Sequence, residues 1–206
     1  MKNDIEKLSY SVGLNIAQGL QKDQGLEEID AKLVGQAIVD VFSGTELKID
    51  HQEAGVFLNE YFAKLEEKKQ EEAIKIGQET LKAGQEFLAA NQKKEGVTTL
   101  ESGLQYEILK EGKGNSPSIS STVTTHYHGT TIDGGVFDSS VTRGTPASFP
   151  VSGVIAGWTE ALQLMTLGAK WKLFVPSNLA YGERGAGANI GAHATLIFDI
   201  ELLEIS

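Results

Sequence analysis

The residues best suited to chemistry lie between Val136 and Gly182. They occur as Val136-Phe137-Asp138-Ser139-Ser140, Val154-Ile155-Ala156-Gly157-Trp158 and Pro176-Ser177-Asn178-Leu179-Ala180-Tyr181-Gly182. Bulky aromatic and apolar side chains recur there beside one well-placed carboxylate, Asp138, and the chain has no cysteine. A site of this composition encloses an apolar ligand and orients it with a few hydrogen bonds. It is poorly suited to nucleophilic or metal chemistry. No cofactor and no metal are expected.

The Phe-Asp pair, the Val-Ile-x-Gly-Trp run and the Ala-Tyr-Gly run resemble, in this order, the FKBP family of peptidyl-prolyl cis–trans isomerases. The resemblance extends from about Gly103 to Ser206. It implies catalysed isomerisation of X–Pro bonds in peptides and folding proteins. Such a bond turns slowly because amide resonance must be broken, over a barrier of about 18–20 kcal/mol. The twisted transition state loses charge separation, so an apolar, water-poor cavity favours it over the planar amide. Each tenfold acceleration needs about 1.4 kcal/mol, and no covalent intermediate is required.

The same resemblance assigns roles. Trp158 forms the pocket floor. Tyr127, Phe137, Phe149, Val154, Ile155 and Phe198 form its walls, and Ile190 an apolar place in a flap. The Ile155 N–H and the Tyr181 hydroxyl hold substrate carbonyls, Asp138 faces the twisting amide, and Arg143 pairs with Asp138 or with Tyr127. The implied catalytic set is Asp138, Tyr181 and Ile155, and rapamycin-type macrolides are implied competitors. Taken singly, Trp158, Phe149 and Phe198 read as core, Asp138 as a turn carboxylate and Tyr181-Gly182 as a turn pair; only their joint order indicates a pocket. Two departures bear on specificity: Ala147 replaces a larger apolar residue, and the flap Gly185–Ala192 carries Gly, Ala and Asn in place of common prolines.

Two halves of the chain have to position these groups. Residues 1–94 contain no proline, whereas all four prolines fall between Pro117 and Pro176. Proline costs about 3 kcal/mol inside a helix, so a helical half precedes a strand-and-turn half. Ile5, Leu8, Val12, Ile16 and Leu20 mark a first helix. Asp30 caps a second, with Leu33, Ala37, Ile38, Val41 and Phe42 on one face and Gly44 past its end. A third run from Asp50 to Lys94 would span about 68 Å at 1.5 Å per residue.

This third run begins with an apolar stripe, Ala54, Phe57, Leu58, Tyr61, Phe62 and Leu65. It then turns polar all round at Glu66–Glu72, where a charged linker is the alternative to a solvent-bridging helix. Apolar spacing resumes at Ile74, Leu81 and Leu88, which favours the helix. Glu60/Lys64 and Glu71/Lys75 are expected ion pairs, and Gly77 and Gly84 are expected to weaken the helix by about 1 kcal/mol each.

Two short helices enclose little core, so their apolar faces call for a second copy of the chain. This half is similar to the N-terminal dimerisation domain of Mip-like (macrophage infectivity potentiator) FKBPs, with Ser9-Tyr10-Ser11-Val12-Gly13 as the match. That similarity implies a V-shaped homodimer joined through its N-terminal helices.

After Gly96 the pattern changes to strands at Leu104–Lys110, Val123–Thr131, Val136-Phe137, Ala147–Val151, Lys170–Val175 and Thr195–Ile205. Ile132–Gly135 is a hairpin turn, Gly157–Met165 a short helix, and Ser177–Ala194 a long surface flap. The expected fold class is α+β: an N-terminal all-helical dimerisation domain (1–49), a long connecting helix (50–95), and a C-terminal FKBP-like antiparallel sheet wrapped on a short helix (96–206).

The net charge of −10 argues against nucleic acid as a partner. Neither a signal peptide nor a membrane span is apparent, so a cytoplasmic location is expected, or a periplasmic or outer-membrane-associated one if a leader has been removed. Gly185-x-Gly187 is followed by a strand and not by a helix, which excludes a phosphate loop. His126 and His128 share one strand face; a satisfied surface pair is expected there in preference to a metal site. The alternative function is a holdase chaperone capturing unfolded chains in the cleft of the dimer.

Overall fold

The computed structural model describes every residue except Gln24. Its contacts divide it into two compact units, Met1–Glu71 and Glu72–Ser206.

The first unit contains α1 (Asp4–Lys22), α2 (Ala31–Ser43) and the start of α3 (His51–Asn91). Each helix begins on a side chain that accepts orphan backbone N–H groups. Asn3 caps Glu6, Asp30 caps Lys32 and Leu33, and Asp50 caps Glu53. Helix α2 ends at Gly44, whose φ of 63° is the left-handed value that closes a helix. None of the residues of α1 or α2 is buried, and Ile5, Val41 and Phe42 are exposed. Within this unit the Tyr61 hydroxyl donates to the Gly25 carbonyl at 2.8 Å. An apolar groove of about 710 Å³ is lined by Gly13, Ile16, Ala17, Leu20, Val34 and Ile38, among others.

Helix α3 stops at Asn91, short of the expected Lys94. The Asn91 side chain is fully buried, where it donates to Gln105 at 2.9 Å. The chain then unwinds through two tight turns to Gly96, at φ 84°. Of the expected ion pairs, neither Glu60/Lys64 nor Glu71/Lys75 forms; among the described residues the salt bridge within α3 is Lys82–Glu86.

In the second unit seven antiparallel strands form one sheet. They are β1 (Val97–Thr99), β2 (Gln105–Lys110), β3 (Thr122–Thr131), β4 (Val136–Ser139), β5 (Ala147–Pro150), β6 (Lys170–Val175) and β7 (Leu196–Ile205). Their order is β1-β2-β6-β7-β3-β4, with β5 also paired to β3. The strand β1 and the short helix α4 (Ser140–Arg143) carry too few residues to show periodicity. Ala147–Val151 splits, because Val151 opens a 3₁₀ turn.

One sheet face packs on α5 (Ala156–Leu164). Trp158, Ala161 and Leu162 meet Tyr127, Leu173, Phe198 and Ile200 in a continuous core. The last turns of α3 cover part of the other face, with Phe87 against Phe174 at 6.0 Å between ring centres. Gly77 and Gly84 make that contact possible. A Cβ on Gly84 would stand 2.3 Å from the Thr195 hydroxyl, and one on Gly77 3.2 Å from His193. The helix propensity that these glycines forgo is exchanged for close approach to the sheet.

Candidate active site

The β3–β4 hairpin sets the first wall. Gly134, at φ 88°, makes the turn, and Thr131 donates to Gly135 across it at 2.9 Å. Strand alternation sends Tyr127 and Gly129 toward α5. At Gly129 a Cβ would lie 2.6 Å from the Phe137 ring, so the missing side chain admits Phe137 against Phe198, edge to face at 5.4 Å.

Trp158, in the first turn of α5 and 4% exposed, is the floor. Tyr127, Phe149 and Phe198 meet it at interplanar angles of 80°, 89° and 80°. Edge-to-face rings suit the aromatic quadrupole, so this box is rigid without being filled. Ile155 precedes α5, and its N–H donates to no other group among the described residues.

The flap is more ordered than a surface loop. Two 3₁₀ turns, Ser177–Leu179 and Gly182–Arg184, begin it, and Ala186 and Ile190 exchange backbone bonds of 2.8 and 3.2 Å. That tight pairing folds Ile190 inward, where it is 8% exposed. The result is a cavity of about 680 Å³.

Ten of the eleven residues assigned from sequence line this cavity: Tyr127, Phe137, Asp138, Phe149, Val154, Ile155, Trp158, Tyr181, Ile190 and Phe198. Arg143 does not. It stands behind the wall, where it bonds both Asp138 and, at 2.8 Å, the Tyr127 hydroxyl, with its guanidinium over the Tyr127 ring at 5.6 Å. The expected choice between two partners is therefore no choice. Ala147 also lies outside the lining and packs on the core. Gly153, Ala186, Gly187, Ala188 and Asn189 complete the rim without having been singled out as pocket groups. Their small side chains carry no sequence signal of a wall.

The Tyr127 hydroxyl donates to Asp138, so both donors converge on one carboxylate. Partial burial pushes the Asp138 carboxyl up, but the hydrogen bonds from Tyr127 and Arg143 and the guanidinium charge outweigh it and hold it below its ordinary 3.8. Burial, reinforced by the bond to Asp138, pushes the Tyr127 hydroxyl up, against the pull of Arg143. Because folding lowers the Asp138 value, its contribution to stability is complete above about pH 4 and is lost as pH falls through the folded value. Asp138→Asn should thus be less stable than the parent at pH 7, by under about 1 kcal/mol for so exposed a pair. Urea melts at descending pH should show that gap closing below 3.8.

His126 and His128 are paired as expected, to the Ser140 and Ser139 hydroxyls at 3.1 and 2.9 Å. Among the described residues no group of three or more His, Cys, Asp or Glu is placed to hold a metal. Among the described residues no helix is long and apolar enough to cross a membrane.

Known proteins resemble this chain in sequence and fold. Residues 113–203 match the family described as FKBP-type peptidyl-prolyl cis-trans isomerase, and residues 5–108 match the domain amino terminal to it. The chain is 43% identical to the FKBP-type 22 kDa peptidyl-prolyl cis-trans isomerase of Escherichia coli K12, over 96% of this chain and 93% of that one. It is also 43% identical to the Outer membrane protein MIP of Legionella longbeachae, over 100% and 87%. The crystal structure of FkpA from Escherichia coli superposes with a TM-score of 0.81 at 35% identity, covering 100% of this chain and 98% of that one. Full-length relatives, two matched domains and one shared fold agree: the chain belongs to the FKBP-type peptidyl-prolyl cis–trans isomerase family.

Proposed function

We propose that the Trp158 box performs the prolyl isomerisation of this family by binding the twisted X–Pro amide more tightly than the planar one. The observation that carries this reading is the Asp138 carboxylate, kept ionised by two donors at the edge of an apolar cavity. With Tyr127 and Arg143 both donating to it, Asp138 acts through its field and not as a proton shuttle. The proline ring rests on Trp158. The free Ile155 N–H and the Tyr181 hydroxyl take the flanking carbonyls, and Ile190 excludes water from above. Substrates are proline-containing peptides and unfolded proteins. The cavity volume suits a drug-sized ligand, so rapamycin-type macrolides should compete.

A protease-coupled assay on a short proline peptide tests this assignment. Trp158→Ala and Tyr181→Phe should both lose activity, and a macrolide should inhibit the parent. Undiminished turnover in both variants would sink the site.

We further infer a homodimer through α1 and α2, because neither helix buries a residue within one chain. The organisation proposed is a helical dimerisation domain at 1–49, a connecting helix at 50–95 and a catalytic domain at 96–206. A catalytic fragment should nevertheless begin at Glu72, since Gly77–Asn91 pack on the sheet. Light scattering should give twice 22.1 kDa for the full chain and a monomer for residues 72–206; a monomeric full chain overturns the inference.

Exposed Val56, Phe57 and Tyr61 on α3 favour a second role in holding unfolded chains. The fragment should then match the full chain on peptides but fall behind it in refolding a protein. The relatives do not support the cytoplasmic expectation; the name of the Legionella relative accords with the periplasmic or outer-membrane alternative.

A further inference from the structure

We infer that Ser140 is a positioning residue for isomerisation, its hydroxyl replacing a missing strand partner beneath Tyr127 and His126 directing that hydroxyl's proton. The inference rests on the site assigned above.

Along one edge β3 changes partner. Strand β4 pairs with it from Thr130 to His128, opposite Ser139, and β5 takes over at Thr125, opposite Ala147. His126 and Tyr127 face the gap between them. A backbone group left bare there would be buried without a partner, which proteins rarely tolerate. Ser140 fills the gap from the first turn of α4 with a side chain that is 0% exposed. Its hydroxyl accepts the Tyr127 N–H at 2.8 Å, lies 3.2 Å from the Tyr127 carbonyl and 3.1 Å from His126 Nδ1.

A hydroxyl has one proton and two lone pairs. The Tyr127 N–H occupies one lone pair. When His126 Nδ1 carries a proton, it donates to the second, and the hydroxyl proton goes to the Tyr127 carbonyl; every group is then paired. When Nδ1 is bare, it competes with that carbonyl for the single proton. The state of His126 therefore reaches the backbone of the residue whose hydroxyl binds Asp138. Ser140 also sits two residues after Asp138 and three before Arg143. One hydroxyl thus ties the strand carrying Tyr127 to the junction of β4, which carries Asp138, and α4, which carries Arg143.

The charged groups around His126 are few. Glu201 is its register partner on β7, Lys170 is the partner of Glu201 on β6, and Lys110 of β2 bonds Glu201 at 3.3 Å. His128 and Asp199 lie in the same shallow surface cavity, with Val141 of α4 at its edge.

The experiment uses the full chain and a proline peptide whose isomer exchange is followed by NMR. Ser140→Ala should lower kcat/KM about five- to tenfold, the worth of one hydrogen bond, mainly in kcat. Ser140→Thr, which keeps the hydroxyl, should recover most of that loss, and His126→Ala should lower kcat/KM by a smaller factor. In the parent, the Tyr127 amide should exchange slowly with deuterium, as an N–H held by a buried hydroxyl must, a readout that needs no variant to fold. Full activity in Ser140→Ala while Asp138→Ala is impaired would overturn the Ser140 role alone. Full activity in Asp138→Ala and Tyr127→Phe would overturn the site itself, and this inference with it. Full activity in His126→Ala would remove the histidine from the scheme.

Discussion

The Asp138→Ala protein is expected to lose about 10- to 100-fold in kcat/KM on a short proline peptide while remaining folded. A hydrogen bond to a charged group is worth about 1.5–3 kcal/mol, and each 1.4 kcal/mol of transition-state stabilisation is a factor of ten. Removing the carboxylate takes away the field at the cavity edge and frees Tyr127 and Arg143 from their shared acceptor. The fold should barely notice. The Arg143–Asp138 pair is half exposed, with side chains at 51% and 42%, and exposed pairs contribute under about 1 kcal/mol. Asp138→Asn separates charge from contact: it keeps an acceptor for Tyr127 but loses the negative charge. If the field matters, Asn should fall nearly as far as Ala. Activity within twofold of the parent in the alanine variant would remove Asp138 from the mechanism.

Gly84→Val should destabilise the catalytic unit by about 1–3 kcal/mol or more, although glycine is ordinarily the poorer helix residue. Replacing an exposed helical glycine normally helps, by up to about 1 kcal/mol. Here a Cβ would lie 2.3 Å from Thr195 Oγ1 and 3.1 Å from Thr195 Cβ, and Thr195 is itself only 4% exposed just before β7. The branched methyls add further overlap. Helix and sheet can relieve it only by separating, which would also loosen Phe87 from Phe174 and Asn91 from Gln105. Urea melts of residues 72–206 measure the cost. Thr195→Ala on the valine background should recover part of it, because the two positions share one contact. A valine variant as stable as the parent would show that α3 does not dock on the sheet as described.

How far each part could be read in advance follows from the range of the forces involved. The helix cap at Asp30, the stop at Gly44 and the hairpin at Ile132–Gly135 depend on neighbours within four residues, and each formed as expected. The aromatic walls were legible because their motifs occur in a recognisable order, and Asp138 with them. Arg143 was legible as a partner of Asp138 or Tyr127, but its place behind the wall depends on α4, whose four residues have no periodicity. Gly77 and Gly84 were read only as weak helix formers, since propensity is local whereas the contact with Thr195 joins residues far apart in the chain. Ile190 was legible as a pocket residue, but the order of its flap was not: Gly and Ala there suggest looseness, and only the Ala186–Ile190 pairing shows order.

The sequence by itself therefore determined the helical and strand halves, the likeness to a prolyl isomerase and ten of the residues that line the cavity. These follow from periodicity, capping and motif order, all written along the chain. The tertiary structure alone decided that Tyr127 and Arg143 share one carboxylate, that Gly129 clears space for two rings, and that Ser140 closes a gap between strands. Each depends on atoms meeting across separate elements, where distance and burial, and not residue type, set the chemistry.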